Sequence, residues 1–299
     1  MEEKWQGKSK GGVLGYKIFV FFLNAFGLGF CYFFLRFVAA YYFLFSPTRK
    51  HVYNYFRQVH QYPPSKARRF VYKTYYVFGQ TLLDKVAVFS GAKTNFTIEH
   101  EGQEHMKSLR DKKKACILIS AHMGNWEVAG NMLEMHDLTF NILLYDNEEQ
   151  QMKQYMDTVL KNKNYKIITL KEDNDMAFLV DLHKAFSNNQ WVVMHGDRFR
   201  DGAPTLEKDF FGRKAKFPAG PFILAAKFGV PVIFAFAFKE TDKHYHFYAS
   251  APMEYPRSRN DADTNKVVQE LSDKYLEHVK EMVKKYPTQW FNFYDFWES

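Results

Sequence analysis

Residues 115–127 read ACILISAHMGNWE, and this stretch decides the fold. Residues 115–121 are short, apolar and preceded by the charged run 111–114, the pattern of a strand buried on both faces. His122 follows at once, then Gly124, which lets the chain turn sharply from strand into helix, then Glu127. A histidine and a carboxylate at this spacing suit general-base chemistry. The imidazole takes a proton from an attacking hydroxyl, while the carboxylate holds the tautomer and stabilises the imidazolium. His-x4-acid alone occurs by chance in many chains; its place at a strand's carboxyl end gives it weight.

Working outward, strands and helices alternate. Strand patterns fall at 96–100, 140–145, 166–170, 191–196 and 230–240, with an alternating stretch at 244–250 that pairs beside the last. Helical patterns fall at about 52–90, 125–135, 148–161, from Asn174 or Asp175 to about 186, 218–229 and 262–285. The alternation predicts an α/β fold: an αβα sandwich with a largely parallel central sheet, whose ligands gather at the carboxyl ends of strands. His122 and the segment 195–200 fall at such ends.

The first quarter has a different character. The net charge is +8, yet between Lys4 and Leu83 there are twelve Lys/Arg and no Asp or Glu, so the remainder is slightly acidic. This excludes a uniformly basic nucleic-acid binder. A mean hydropathy of −0.41 excludes a multi-span membrane protein. With 46% hydrophobic residues the chain is not disordered. Residues 18–35 carry no charge and reach the lower limit for crossing a bilayer. The apolar run 13–45 admits only Lys17 and Arg36, and is too long for one straight span. Gly27 and Gly29 offer a break, so a hairpin or a span plus an in-plane helix is expected. No cleavable signal sequence is recognisable. Lys17, Arg36, Arg49, Lys50, Arg68, Arg69 and Lys73 are the expected contacts to an anionic leaflet. Residues 1–50 therefore read as a membrane anchor. Residues 51–299 read as the main domain, helical and membrane-proximal to 90, then α/β. Cys31 and Cys116 lie far apart in apolar runs, which leaves neither a disulfide framework nor a four-cysteine zinc site.

Further motifs extend the pattern. They are HGDRFRDG at 195–202, DFFGRKAKFPAGP at 209–221, GVPVIF at 229–234 and PTQWFNFYDFW at 287–297. Together with SAHMGNWE at 120–127, this ordered series resembles the late (secondary) acyltransferases of lipid A biosynthesis, within the broader glycerolipid acyltransferase-like group. The resemblance implies transfer of a fatty acyl chain from an acyl thioester, on acyl carrier protein or coenzyme A, to a hydroxyl of a lipid A precursor or related membrane lipid. No bound cofactor or metal is implied. The setting would be the cytoplasmic face of a bacterial inner membrane, the partners an anionic membrane surface, acyl carrier protein and the lipid acceptor, and the chain a monomer that binds no nucleic acid. His122 would be the base and Glu127 its partner. Backbone N–H groups after His122, or Arg198, would face the developing oxyanion.

Asn125, Asp197, Arg198, Arg200, Phe211, Arg213 and Lys216 are substrate-binding candidates. The arginines suit anions by their fork geometry, the basic turn after Phe211 suits a phosphopantetheine arm or acidic carrier, and Phe210, Phe211, Phe217 and Phe222 suit an acyl channel. Relatives often carry a basic residue just after the strand at 140–145. Here Tyr145-Asp146-Asn147 has none, which leaves room for another acceptor, such as a polyene pigment or an amino-acid lipid. A metal-dependent hydrolase built on His122, Glu127, His195 and Asp197 is the competing class, against which stands the lack of a His-x-x-x-His pair.

Overall fold

Strands β1 (Thr97–Glu101), β2 (Cys116–Ser120), β3 (Phe140–Tyr145), β4 (Tyr165–Leu170), β5 (Trp191–His195), β8 (Val232–Lys239) and β9 (His244–Ala249) form one sheet. Its order is β1-β9-β8-β2-β5-β3-β4, and β6 (Thr205–Phe210) with β7 (Arg213–Pro218) makes a separate antiparallel ribbon. The computed structural model describes residues 13–92, 94–128, 135, 137–145, 165–170 and 177–297. Neighbouring strands of the large sheet run parallel except β8 and β9. The expected sandwich with a largely parallel sheet is the observed one.

The period-2 alternation of each strand splits the core into two layers. Ile117, Ile119, Val192, Met194 and Phe234 pack with Phe222 of α6 (Gly220–Phe228) and with Leu271, Tyr275 and Val279 of α7 (Asp261–Lys285). Cys116, Leu118, Trp191, Val193 and Ile233 face the other way, onto Met106 and Leu109 of α4 (Gln103–Asp111). α5 (Ala177–Ser187) leads into β5. Every residue of β8 is buried, as the unbroken apolar run predicts. The helix expected at 148–161 and the cap at Asn174 or Asp175 lie outside the described residues.

Three expectations change. The helix expected at 52–90 is two helices, α2 (Arg49–Gln58) and α3 (Pro64–Phe89), because Pro63 and Pro64 can start a helix but not continue one. The stretch after Phe210 is a hairpin: Phe211 (φ 58°) and Gly212 (φ 77°) make the turn, and the basic residues from Arg213 onward form β7. Phe210, Phe217 and Phe222 are at most 1% exposed and belong to the core, so these three do not line an open acyl channel.

The apolar helix α1 (Val13–Phe45) breaks at Gly27 (φ 79°, ψ 171°), where a break was expected. It runs antiparallel along α3: Phe43 meets Tyr72, Tyr42 stacks on Tyr75, and Cys31 packs with Ala87. Its outer side keeps Phe21, Phe26, Phe33, Phe37, Tyr41 and Phe45 exposed. Among the described residues, 19–45 form the one helix long and apolar enough to cross a membrane, by length and composition.

A buried ion pair joins these helices to the sheet. Lys239 Nζ, at the end of β8, lies 2.6 Å from Asp84 Oδ2 on α3, with side chains 3% and 0% exposed. Asp84 also accepts hydrogen bonds from Tyr32 of α1 and Tyr245 of β9. Burial pushes the Asp84 carboxyl up and the Lys239 ammonium down, each opposed by the other's charge. Lys239→Met, which strands the carboxylate, is expected to cost about 3–5 kcal/mol in chemical denaturation of the detergent-solubilised protein. Asp84→Leu combined with Lys239→Met is expected to recover much of that loss; equal instability of the two variants would contradict it.

Candidate active site

The site grows out of strand register. β2 and β5 are parallel neighbours with Ser120 opposite His195, so the residues two further along, His122 and Asp197, come level beyond the sheet's carboxyl edge. His122 Nδ1 lies 2.9 Å from Asp197 Oδ1, and the His122 backbone N–H reaches both carboxylate oxygens at 3.1 and 3.0 Å. Trp290 Nε1 adds a contact to Oδ2 at 3.4 Å. Asp197 is wholly buried, while the His122 side chain is a quarter exposed. Burial alone would raise the Asp197 carboxyl. The His122 charge and hydrogen bond, followed by Arg198 and His195, outweigh it and hold the group well below the usual carboxylate range.

The turn after His122 is pinned on several sides. Gly124 sits at φ 58°, its N–H bonds to Gln289 O at 2.9 Å, and a Cβ there would lie 1.8 Å from Ala237 O. Only glycine fits. Phe291 N–H bonds to His122 O at 3.1 Å, so residues 289–291 of the C-terminal segment lie along this turn. Asn125 is 2% exposed; its Nδ2 lies 2.9 Å from Thr81 O and 3.3 Å from Tyr245 Oη, so it holds the turn in place of the substrate contact expected of it.

Glu127 as the group that holds the His122 tautomer is corrected by this geometry. Its carboxylate is paired with Lys85 of α3, and the contact to His122 Nδ1 comes from Asp197. The parallel register explains the exchange: a residue on the adjacent strand's exit stands level with His122, whereas Glu127 has already entered the next helix. Arg198, expected to meet an anion or the oxyanion, binds Phe291 O at 2.7 Å and Asn292 Oδ1 at 3.0 Å, and so fastens the C-terminal segment. Arg200 lies partly buried in the loop before β6. Phe211 packs at the core's edge, Arg213 lies over the Trp297 ring at 5.0 Å and bonds to Gln58, and Lys216 is exposed on β7. The structure does not bring these three to His122 as contacts. Arg36, Arg49, Lys50, Arg68, Arg69 and Lys73 are exposed on α1 to α3, and the Lys17 side chain lies outside the described residues. Among the described residues, no three His, Cys, Asp or Glu side chains are arranged to hold a metal ion. Cys116 is fully buried and its thiol is pushed up by that burial, the opposite of an activated nucleophile.

Sequence reasoning did not foresee the packing of His195 on His122 or the contact from Trp290. The His195 ring lies against His122 with centroids 4.2 Å apart, and Trp126 meets it edge-on at 5.9 Å. Burial, then the neighbouring His122, lowers the His195 imidazole well below its usual range, so it stays neutral. The unfolded chain therefore binds more protons than the native one below about pH 6.5, and stability present above that value falls as pH is lowered. His60, held at about 4 by burial and Lys66, acts with the same sign. The thermal midpoint is expected to drop between pH 7 and 5, and less steeply in His195→Gln. Identical slopes in the two proteins would refute this.

The chain is similar to several known proteins. The family described as bacterial lipid A biosynthesis acyltransferase matches residues 9–299. A phosphatidylinositol mannoside acyltransferase of Mycolicibacterium smegmatis is 22% identical over 190 residues, 62% of this chain and 58% of the relative. Its counterpart in Mycobacterium tuberculosis is 25% identical over 134 residues, 44% of this chain and 41% of the relative. The chain thus matches less than two thirds of the length of these relatives. Among solved structures, the 1-acyl-sn-glycerophosphate acyltransferase PlsC of Thermotoga maritima is similar at 15% identity and a TM-score of 0.39, over 82% of this chain and 96% of that one. The match over nearly the whole length carries the assignment: the chain belongs to the bacterial lipid A biosynthesis acyltransferase family.

Proposed function

We propose that this enzyme moves a fatty acyl group from an acyl thioester, on acyl carrier protein or coenzyme A, to a hydroxyl of a lipid A precursor or related membrane glycolipid. The observation that carries the reading is the 2.9 Å contact between His122 Nδ1 and the buried Asp197. With Nδ1 donating to Asp197, Nε2 is the unprotonated nitrogen of the neutral ring. It accepts the acceptor's hydroxyl proton as the oxygen attacks the thioester carbonyl. The tetrahedral intermediate collapses, the C–S bond breaks, and the imidazolium returns the proton to the leaving thiolate. The products are an oxygen ester and a free thiol, with no acyl-enzyme. Asp197 keeps the ring in the reactive tautomer and stabilises its cation. Detection of a covalent acyl-enzyme would count against this route.

The chemistry takes place at a membrane, against the cytoplasmic face of the inner membrane. The exposed rings of α1 enter the apolar layer, and the exposed basic residues of α2 and α3 meet anionic headgroups. The acyl donor and the acceptor are thereby brought to the same interface. A glycolipid acceptor is favoured because both the family description and the mycobacterial relatives concern glycolipids.

His122→Ala should abolish turnover and Asp197→Asn should lower kcat by about 10²- to 10⁴-fold, both without loss of fold. Lipid mass spectrometry of cells with and without the gene should show one acyl group missing from one glycolipid; an unchanged lipid profile would contradict the reading. Neutralising Arg68, Arg69 and Lys73 together should weaken binding to anionic vesicles by about 1 kcal/mol per charge, with the effect fading at high salt.

A further inference from the structure

Three residues on α3 hold the turn that follows His122: Thr81 through its backbone carbonyl, Asp84 by way of Tyr245, and Lys85 through its ammonium. Thr81, Asp84 and Lys85 stand at i, i+3 and i+4 and so share one side of the helix. Thr81 O accepts from Asn125 Nδ2 at 2.9 Å. Asp84 accepts from Tyr245, whose hydroxyl lies 3.3 Å from the same Asn125 nitrogen. Lys85 forms the ion pair with Glu127, with the two side chains 19% and 21% exposed. Between the two anchored residues, Trp126 points the other way, to His195. Glu127 directly follows Trp126, and this places the pair at the edge of the site.

His122 itself is held by other groups. Its ring and backbone N–H are bound by Asp197, and its carbonyl by the C-terminal segment. We propose that Glu127 is a positioning residue that acts through Lys85: the pair fastens the turn 123–128 to α3, and so fixes the wall of the cleft beside the base. Because α1 packs along α3 and its Tyr32 bonds to Asp84, this wall is mechanically continuous with the apolar N-terminal helix. The inference rests on His122 and Asp197 forming the acid–base pair. It gives the acidic residue of His-x4-acid a role separate from proton transfer. A displaced wall misplaces the reacting carbonyl, which lowers turnover while the proton chemistry of His122 is unchanged.

The test is a charge exchange. Thiol release from palmitoyl-coenzyme A is followed with vesicles of a bacterial total lipid extract, and the acylated lipid is read by mass spectrometry. Lys85→Met and Glu127→Gln are each expected to lower kcat by about 10- to 100-fold with little change in KM. The double variant should fall no further than either single one, since one shared contact is lost once. In Glu127→Gln the pH midpoint of the acid limb of kcat/KM should stay where it is in the parent enzyme. The exchanged pair, Lys85→Glu with Glu127→Lys, should recover most of the lost kcat, and Lys85→Arg should retain it. Thermal melting of every variant separates loss of fold from loss of position. If the single variants unfold, the exchanged pair decides the matter: folded and active supports the proposal, folded and inactive overturns it. A shifted pH midpoint in Glu127→Gln also overturns it, because Glu127 would then act on His122. His122→Ala is run alongside. Activity surviving in that variant would defeat the acid–base reading itself, a result distinct from failure of the exchange.

Discussion

The buried pair of Asp84 and Lys239 is the contact on which the rest of the structure depends. Removing two charges from water is costly, and the cost is recovered only where every donor and acceptor finds a partner. Here the three N–H groups of Lys239 have three acceptors: Asp84 Oδ2 at 2.6 Å, Tyr32 Oη at 3.0 Å and Asp242 O at 2.9 Å. The carboxylate in turn receives Tyr32, Tyr245 and Lys239. Such a satisfied cluster adds little over an apolar core in stability, but it admits one arrangement of its elements. It fixes α1, α3, β8 and β9 relative to one another, and through Tyr245 and Asn125 it reaches the turn that follows His122.

That fixed frame lets strand register set the pairing of His122 with Asp197. In a parallel pair the exits of adjacent strands lie side by side, so residues the same number of steps beyond matched positions meet. His122 and Asp197 are 75 residues apart in the chain and 2.9 Å apart in space for this reason. The C-terminal segment then closes over the pair, with Trp290 touching the carboxylate and Arg198 anchoring Phe291 and Asn292. The pair is therefore built from two strands and covered on one side by a third part of the chain, while the histidine side chain stays a quarter exposed.

Much of the fold was legible because apolar periodicity is a local property. The buried run of β2, the long apolar strand β8, the amphipathic α7 and the break at Gly27 each follow from their own residues. Expectation and structure part where a local pattern has two solutions. The basic residues after Phe211 suit a turn as well as an edge ribbon, and antiparallel pairing with β6 decided for the ribbon. Phe210, Phe217 and Phe222 suit a channel as well as a core, and the packing of Trp290 on Phe210, Phe296 on Phe217 and Tyr275 on Phe222 decided for the core.

By itself the sequence determined that His122 stands at a strand's end, that glycine must follow it closely, and that a basic, aromatic first quarter precedes an α/β domain. These rest on neighbours in the chain. Only the tertiary structure decided which carboxylate lies against the histidine. The short spacing pointed to Glu127, but spacing along the chain says nothing about which strand lies next to β2 or in what register. That adjacency puts Asp197 against the ring, and it leaves Glu127 one helix entry further on, facing Lys85.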